Sequence, residues 1–210
     1  METVIGIKFN DFVLIATDMT AAHSIMVMKD DEDKTYNITE NVVMGVTGES
    51  GDVPRFAEYI TQNVKLYRMR NGYDLSIPAI ATFTRKTIAE HLRSQSPYQV
   101  NIMLGGFDPK VKKSHLYFID YLGAQVDVPY SAHGYGGMMS ITVMDRYYKP
   151  DATYQEAYDL LKKCIAEVQK RCIINMPNFK VKLSYSGGIQ ELPSITKDNI
   201  NQETIVNVKD

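Results

Sequence analysis

The sequence predicts an α+β fold in which sheets lie between layers of helices. Apolar segments with strand patterns and segments with a 3.6-residue apolar period occur in separate runs, ordered strands, two helices, strands, two helices, strands. The chain has 210 residues, 44% of them hydrophobic, so it can bury a substantial core in one domain.

The first 46 residues read as strands. Residues 3–9 and 12–17 are apolar and separated by a two-residue polar turn, which predicts a hairpin. Two more strands are predicted at residues 24–28 and 41–46. The charged run 29–34 between them is interpreted mainly as a solvated turn.

Two amphipathic helices follow. The first is predicted over residues 52–71, with Asp52 as its cap, Pro54 in its first turn and Gly72 as its stop. The second begins at Ser76, and its apolar stripe stops before Pro97. A short link joins them, so we expect an antiparallel helix pair on one side of a sheet.

The second half repeats this order. Strands are predicted at residues 100–104 and 116–121, a helix at 138–147, and a strand at 179–185 followed by a turn at 186–188. Thr153 and Glu156 have capping-box spacing, which predicts the start of a long helix ending near Arg171. We divide the chain into one domain, residues 1–198, and a polar tail, residues 199–210, with too little apolar surface to fold alone.

Composition narrows the possible functions. The net charge is −2 and the densest basic group, Lys110, Lys112 and Lys113, reads as a solvated loop, so we expect no nucleic-acid partner. We find no signal peptide and no run of about 20 apolar residues, which predicts a soluble intracellular protein without a membrane partner. Cys164 and Cys172 are expected to be reduced thiols.

Most catalytic motifs are absent from the sequence. There is no phosphate-binding loop and no dinucleotide fingerprint, and Ser50 lacks the glycine that a nucleophile elbow requires two residues later. The four histidines, at positions 23, 91, 115 and 133, do not have metal-ligand spacing. We therefore expect no metal and no small cofactor.

Several segments resemble the β subunits of the 20S proteasome. They are Ala16-Thr17-Asp18, Lys34 after the charged turn, and Val46-Thr47-Gly48 before the first long helix. Further stretches resemble one non-catalytic member of that family, and they are dispersed from residue 1 to about 195. They comprise residues 29–34, 55–60, 66–73, 97–101, 119–122, 132–135 and 145–148.

The resemblance implies a four-layer αββα sandwich of the N-terminal-nucleophile hydrolase type. It also implies other proteasome β and α subunits as partners, in a 28-subunit barrel that degrades proteins, in the cytoplasm and nucleus. Active family members use an amino-terminal threonine as the nucleophile, assisted by its free amine and by a lysine that an aspartate orients. The oxyanion is bound by a backbone N–H, which here is that of Gly48.

Position by position, the resemblance implies that this machinery is vestigial. Counting from Asp18 and Lys34 places the nucleophile position at Glu2, which has no hydroxyl. The family's remaining catalytic positions, a serine, a second aspartate and a second serine, fall on Tyr135, Cys172 and Asn175. We interpret Asp18 and Lys34 as a structural ion pair, and we expect no propeptide before the first strand.

Three functions stay open from the sequence. The first is a non-catalytic subunit that helps to assemble and wall the proteolytic chamber, with a tail that either clasps a neighbour or frays. The second is an active threonine hydrolase, if trimming of two residues exposes Thr3. The third is a stand-alone protein of the same fold that acts as a binding module.

Overall fold

The computed structural model describes residues 2–23, 26–202 and 204–208. The elements of the first half are β1 (Thr3–Lys8), β2 (Val13–Asp18), β3 (Ala21–His23), β4 (Met26–Lys29), β5 (Thr35–Asn37), β6 (Val42–Gly48), α1 (Asp52–Asn71) and α2 (Ile77–His91). Those of the second half are β7 (Val100–Asp108), β8 (Lys113–Ile119), β9 (Gln125–Asp127), β10 (Tyr130–Gly134), α3 (Gly137–Tyr147), α4 (Tyr154–Arg171), β11 (Asn178–Tyr185) and β12 (Gly188–Thr196).

These strands form two five-stranded antiparallel sheets and one small ribbon. The first sheet has the order β10-β1-β2-β11-β12, and the second has the order β5-β6-β7-β8-β9. The ribbon pairs β3 with β4. Helices α1 and α2 contact the second sheet, whereas α3 contacts β1 and β10 of the first. The predicted α+β arrangement of sheets between helix layers is confirmed.

Each helix layer shares its own apolar core with the sheet beneath it. Ile5 and Leu14 of the first sheet pack with Leu161 of α4, all of them buried. Phe56 of α1 and Met44 of β6 belong to the equivalent core under the other helix pair. The alternate faces of the strands meet in a third core, so each sheet buries both faces.

The two sheets approach closely at positions where only glycine fits. A Cβ atom on Gly6 of β1 would lie 2.5 Å from Cγ of Met103 on the opposite sheet. A Cβ atom on Gly45 of β6 would lie 2.9 Å from a methyl group of Val4. Contacts between the glycine backbone and side chains of the opposite sheet therefore set the separation of the two sheets. Neither glycine has room for one more carbon.

Helix boundaries agree with the sequence in most places. The capping box of α4 is confirmed, because the side chain of Thr153 accepts from the N–H of Glu156 and the Glu156 carboxylate accepts from the N–H of Thr153. Gly72 ends α1 with φ of 79°, as predicted. The predicted cap of α1 is wrong: Gly51 is the N-cap, and the Asp52 carboxylate accepts from the N–H of Gln99 at 3.0 Å.

Several strands had no clear signal in the sequence. β9 and β5 have three residues each, too short for a period to be read. β10 lies in a segment that the sequence analysis left unassigned, and β12 contains Pro193. The predicted strand at 24–28 begins at two residues outside the described ranges, and β4 covers Met26–Lys29.

The tail that follows β12 is placed on the chain's own α4. The buried ammonium of Lys162 donates to the carbonyl of Gln202 and to the hydroxyl of Thr204, each at 2.7 Å, and to the carbonyl of Asn199 at 3.3 Å. The side chain of Gln155 donates to the Thr204 carbonyl and accepts from the N–H of Val206, both at 2.9 Å. Partly buried tail residues pack against the first-sheet core, namely Ile200, Val206 and Val208.

Candidate functional site

The predicted ion pair lies where β2 ends and β5 begins. The ammonium of Lys34 lies 3.1 Å from Oδ2 of Asp18, and the Asp18 side chain is completely buried. Lys34 also donates to the carbonyl of Thr20 at 2.7 Å, a contact that sequence reasoning missed because a backbone acceptor leaves no signal in residue type. The Asp18 carboxylate and the Thr20 carbonyl therefore hold the ammonium from two directions.

Asp18 also binds the start of β1. Its Oδ1 accepts from the N–H of Thr3 at 2.8 Å, and its Oδ2 accepts from the N–H of Thr20 at 3.3 Å. Burial raises the pKa of this carboxyl, and the charge of Lys34 offsets part of that increase. The carboxylate thus binds two backbone N–H groups and the Lys34 ammonium through one buried group.

Glu2 reaches the same ammonium from the chain's amino-terminal end. Its Oε1 lies 3.1 Å from Nζ of Lys34, and its Oε2 accepts from the N–H of Gly48 at 3.1 Å. Both carboxylate oxygens are therefore occupied, one by a cation and one by a backbone donor. The structure brings together Glu2, Asp18, Lys34 and Gly48, four positions to which the family resemblance had drawn attention.

Thr3 has different neighbours. It is completely buried, and its hydroxyl accepts from the N–H of Gly136 at 3.1 Å and donates to the sulfur of Met176 at 3.3 Å. Its own N–H is bound to Asp18. The contacts with Gly136 and Met176 were missed from the sequence, because each comes from a loop far along the chain.

The other three candidate positions lie apart from this group. Tyr135 follows β10 and is 64% exposed, Cys172 caps the end of α4 and is half-buried, and Asn175 is exposed in the loop before β11. In residues 2–23, 26–202 and 204–208, no hydrogen bond or ion pair joins any of the three to Asp18 or Lys34. The expectation that these three positions are not catalytic therefore rests on their residue types.

A cavity of about 540 Å³ adjoins Glu2. Its wall includes the small residues Ala21 and Ala22 of the β3–β4 ribbon, Met28 from the same ribbon, Tyr36 of β5 and Val53 of α1. Glu2 and Lys34 line it as well. The arrangement offers a positive charge and a backbone N–H to a negatively charged oxygen, but position 2 supplies no nucleophilic hydroxyl.

The described residues contain neither a candidate metal centre nor a membrane-spanning helix. Within them, no group of three or more His, Cys, Asp and Glu side chains lies close enough to hold a metal ion. No helix in the same ranges has the length and apolar character needed to cross a membrane.

The chain is similar to proteasome subunits over nearly its whole length. The family described as "Proteasome subunit" matches residues 1–183. "Proteasome subunit beta type-4" of Saccharomyces cerevisiae is 41% identical over 192 residues, covering 91% of this chain and 97% of the relative. "Proteasome subunit beta type-2-B" of Arabidopsis thaliana is 41% identical over 191 residues, covering 91% and 95%.

The chain therefore belongs to the proteasome-subunit family, and its fold is the α+β sandwich of the N-terminal-nucleophile hydrolases. Within that family it is a β subunit, similar to the relatives named beta type-4 in yeasts and beta type-2 in plants. The dispersed sequence stretches resemble the beta type-2 subunit in particular. The similarity to the plant beta type-2 relatives confirms this expectation.

Proposed function

We propose that this chain is a non-catalytic subunit of the 20S proteasome core, helping to assemble the β ring and to wall its proteolytic chamber. The observation that carries the proposal is the position of the Glu2 carboxylate. It lies on the Lys34 ammonium and on the Gly48 N–H, where an active family member needs a hydroxyl and an unoccupied oxyanion donor.

The loss of the nucleophile outweighs the retention of Asp18 and Lys34. Residues of a catalytic unit act together, so removing the nucleophile alone costs about as much activity as removing the whole set. Asp18 and Lys34 have a sufficient structural role, because they hold the start of β1 and the Thr20 backbone. Their presence therefore does not require catalysis.

The alternative is a threonine hydrolase whose nucleophile is Thr3, exposed by trimming of Met1 and Glu2. The Thr3 hydroxyl already has a donor, Gly136, and an acceptor, Met176, and the side chain is buried. Trimming would supply a base, the freed Thr3 amine, but these contacts leave the hydroxyl without access to substrate.

Two measurements on the natively purified particle test this choice. We expect the intact mass of this chain to include Glu2, and a threonine-directed electrophile to label its active sister subunits and leave this chain unlabelled. A mass that lacks both Met1 and Glu2, together with label on Thr3, would establish the hydrolase instead. The labelled sister subunits are the internal control for reagent activity.

The proposed partners are the neighbouring β and α subunits of the barrel, in the cytoplasm and nucleus. Family membership and similarity to named proteasome subunits support this. A stand-alone binding module would instead run as a particle of the chain's own mass, 23.8 kDa, when isolated from cells. Native gel filtration of a cell extract, probed for this chain, separates the two.

We also propose that residues 199–210 contribute to assembly. Within the described part of the tail, Ile205 is 77% exposed while the flanking residues lie on α4, so its side chain is available to a neighbour. Deleting 199–210 should slow incorporation of the chain into the particle, and Ile205→Ser should reproduce part of the delay. Normal assembly of both variants would refute this role.

A further inference from the structure

The Glu2 carboxylate is held by two preorganised groups. Gly48 ends β6, and a Cβ atom there would lie only 2.0 Å from the carbonyl oxygen of Gln99, so the position accepts only glycine in this conformation. The Gln99 carbonyl accepts from the N–H of Glu49 at 3.0 Å, which holds the backbone next to Gly48 in place. On the other side, Asp18 and the Thr20 carbonyl fix the Lys34 ammonium.

The free donors of the group match a single carboxylate, because one donor direction of Lys34 and the Gly48 N–H each bind one of its oxygens. Lys34 carries one positive charge and Asp18 one negative charge, and both side chains are at most 3% exposed. Without Glu2 the buried pair is neutral, and the ammonium still has a free donor direction, because it donates to three groups in all. A monoanion with two oxygens fits this site, whereas a dianion would add a second uncompensated charge next to buried Asp18.

We propose that Lys34 and Gly48 form a carboxylate-binding site whose resident ligand is the chain's own Glu2. By occupying it, Glu2 keeps the carbonyls and terminal carboxylates of peptides in the chamber out of the adjoining 540 Å³ cavity. Shortening Glu2 opens the site to a free carboxylate. This inference rests on the proposed non-catalytic function, since it requires that Glu2 is retained in the mature chain.

The test follows the Gly48 amide resonance of the full-length, isotope-labelled chain during a titration with sodium acetate. In Glu2→Ala we expect a saturable shift of Gly48, because acetate replaces the lost carboxylate. In the wild-type chain we expect no saturable shift over the same concentrations, because the tethered ligand is always present at high effective concentration. Glu49→Ala removes the neighbouring exposed carboxylate and should behave like the wild type.

A second arm identifies the peptide ligand. An acetylated tripeptide with a free carboxyl terminus should shift Gly48 in Glu2→Ala, and the same peptide with an amidated terminus should not. If Glu2→Ala does not fold, Glu2→Ser removes the carboxylate and leaves a short polar side chain. Its expected result is a saturable acetate response that the wild type lacks.

The outcomes are decisive for this site and separate from the proposed function. If a folded Glu2 variant shows no acetate response, or the wild type responds equally, Lys34 and Gly48 do not form a carboxylate site. Neither result bears on catalysis, which the mass and labelling experiment measures on native particles. Conversely, a native chain that lacks Glu2 would overturn the proposed function even if Glu2→Ala binds acetate.

Discussion

Lys34 and Lys162 are both buried, yet their ammonium groups are held in opposite ways. Lys34 is 2% exposed and contacts two carboxylates, those of Glu2 and Asp18. Lys162 is 6% exposed, and it donates to two backbone carbonyls and a hydroxyl of the tail, with the ring of Tyr158 at 5.4 Å. Lys34 compensates buried negative charge, whereas Lys162 donates to uncharged oxygen atoms.

The two arrangements differ in what depends on them. The partners of Lys34 lie at the start of β1, at the end of β2 and before β3, so its loss affects the centre of the first sheet. The partners of Lys162 lie in one terminal segment, so its loss affects that segment. The stability lost on removing a buried charge therefore depends on its partners. The loss is large when they stay buried and unpaired, and small when water can reach them.

The largest effect is expected for Lys34→Met. Asp18 would stay completely buried without its cation, and removing one partner of a buried pair costs about 3–5 kcal/mol of unfolding free energy. Urea unfolding of the isolated chain measures the loss. Lys29→Met is the matched control, because the Lys29–Asp31 pair is exposed and should contribute less than about 1 kcal/mol. Equal losses in the two variants would show that the buried pair has no special role.

The next effect is a pH dependence that arises beside the same site. His133 of β10 pairs with Val4 of β1 and stacks on Phe118, and burial lowers its pKa from 6.5 to about 4. Because the unfolded histidine takes up its proton first, stability is lost as pH falls from 6.5 to about 4. At about 1.4 kcal/mol per pKa unit, the loss amounts to about 3 kcal/mol.

Asp18 changes stability in the opposite direction. Its pKa is raised from 3.8, so its contribution is fully present below pH 3.8 and is lost as pH rises through the folded value. The histidine contribution is therefore measured as the difference between wild type and His133→Gln in urea unfolding at several pH values. The variant should lose less stability than the wild type between pH 6.5 and 4. The control variant His91→Gln should lose as much stability as the wild type over the same range. Parallel curves would exclude His133 as the source.

The smallest effect on global stability is expected for Lys162→Met. The carbonyls it leaves can be solvated at the surface, so we expect a loss of about 1–2 kcal/mol, largely as local release of the tail. Hydrogen exchange of residues 199–208 should become faster while exchange in β1 and β2 stays unchanged. Lys163→Met changes the exposed neighbouring position on α4 and is the control. Protection of the tail in Lys162→Met would show that its apolar contacts alone hold it.

The sequence predicted those parts of the fold that local patterns define. Helix α4 has a capping box and a regular apolar face, and β1 and β2 are β-branched apolar runs, so each is readable within a few residues. β12 was missed because it lies at the edge of its sheet, where Pro193 is tolerated and one face needs no apolar side chain. The tail has isolated apolar residues, which find their partners only when α4 and β12 are already in place.

The site was predictable only in part for a related reason. Resemblance to a family identified Glu2, Asp18, Lys34 and Gly48, but it supplied identities and not contacts. The Glu2 carboxylate can contact both Lys34 and the Gly48 N–H only because of where β1 lies relative to the second sheet. Tertiary packing sets that position, and no spacing along the chain reveals it.

The glycines of the middle layer have a mechanical consequence. At Gly6 and Gly45 the backbone lies directly against buried side chains of the opposite sheet, Met103 and Val4, with no space between them. Because close-packed interiors have low compressibility and transmit strain, pressure applied across the sheets is carried with little yielding. The direction normal to the two sheets is thus a stiff axis of the molecule, a property that would suit the proposed role in the chamber wall.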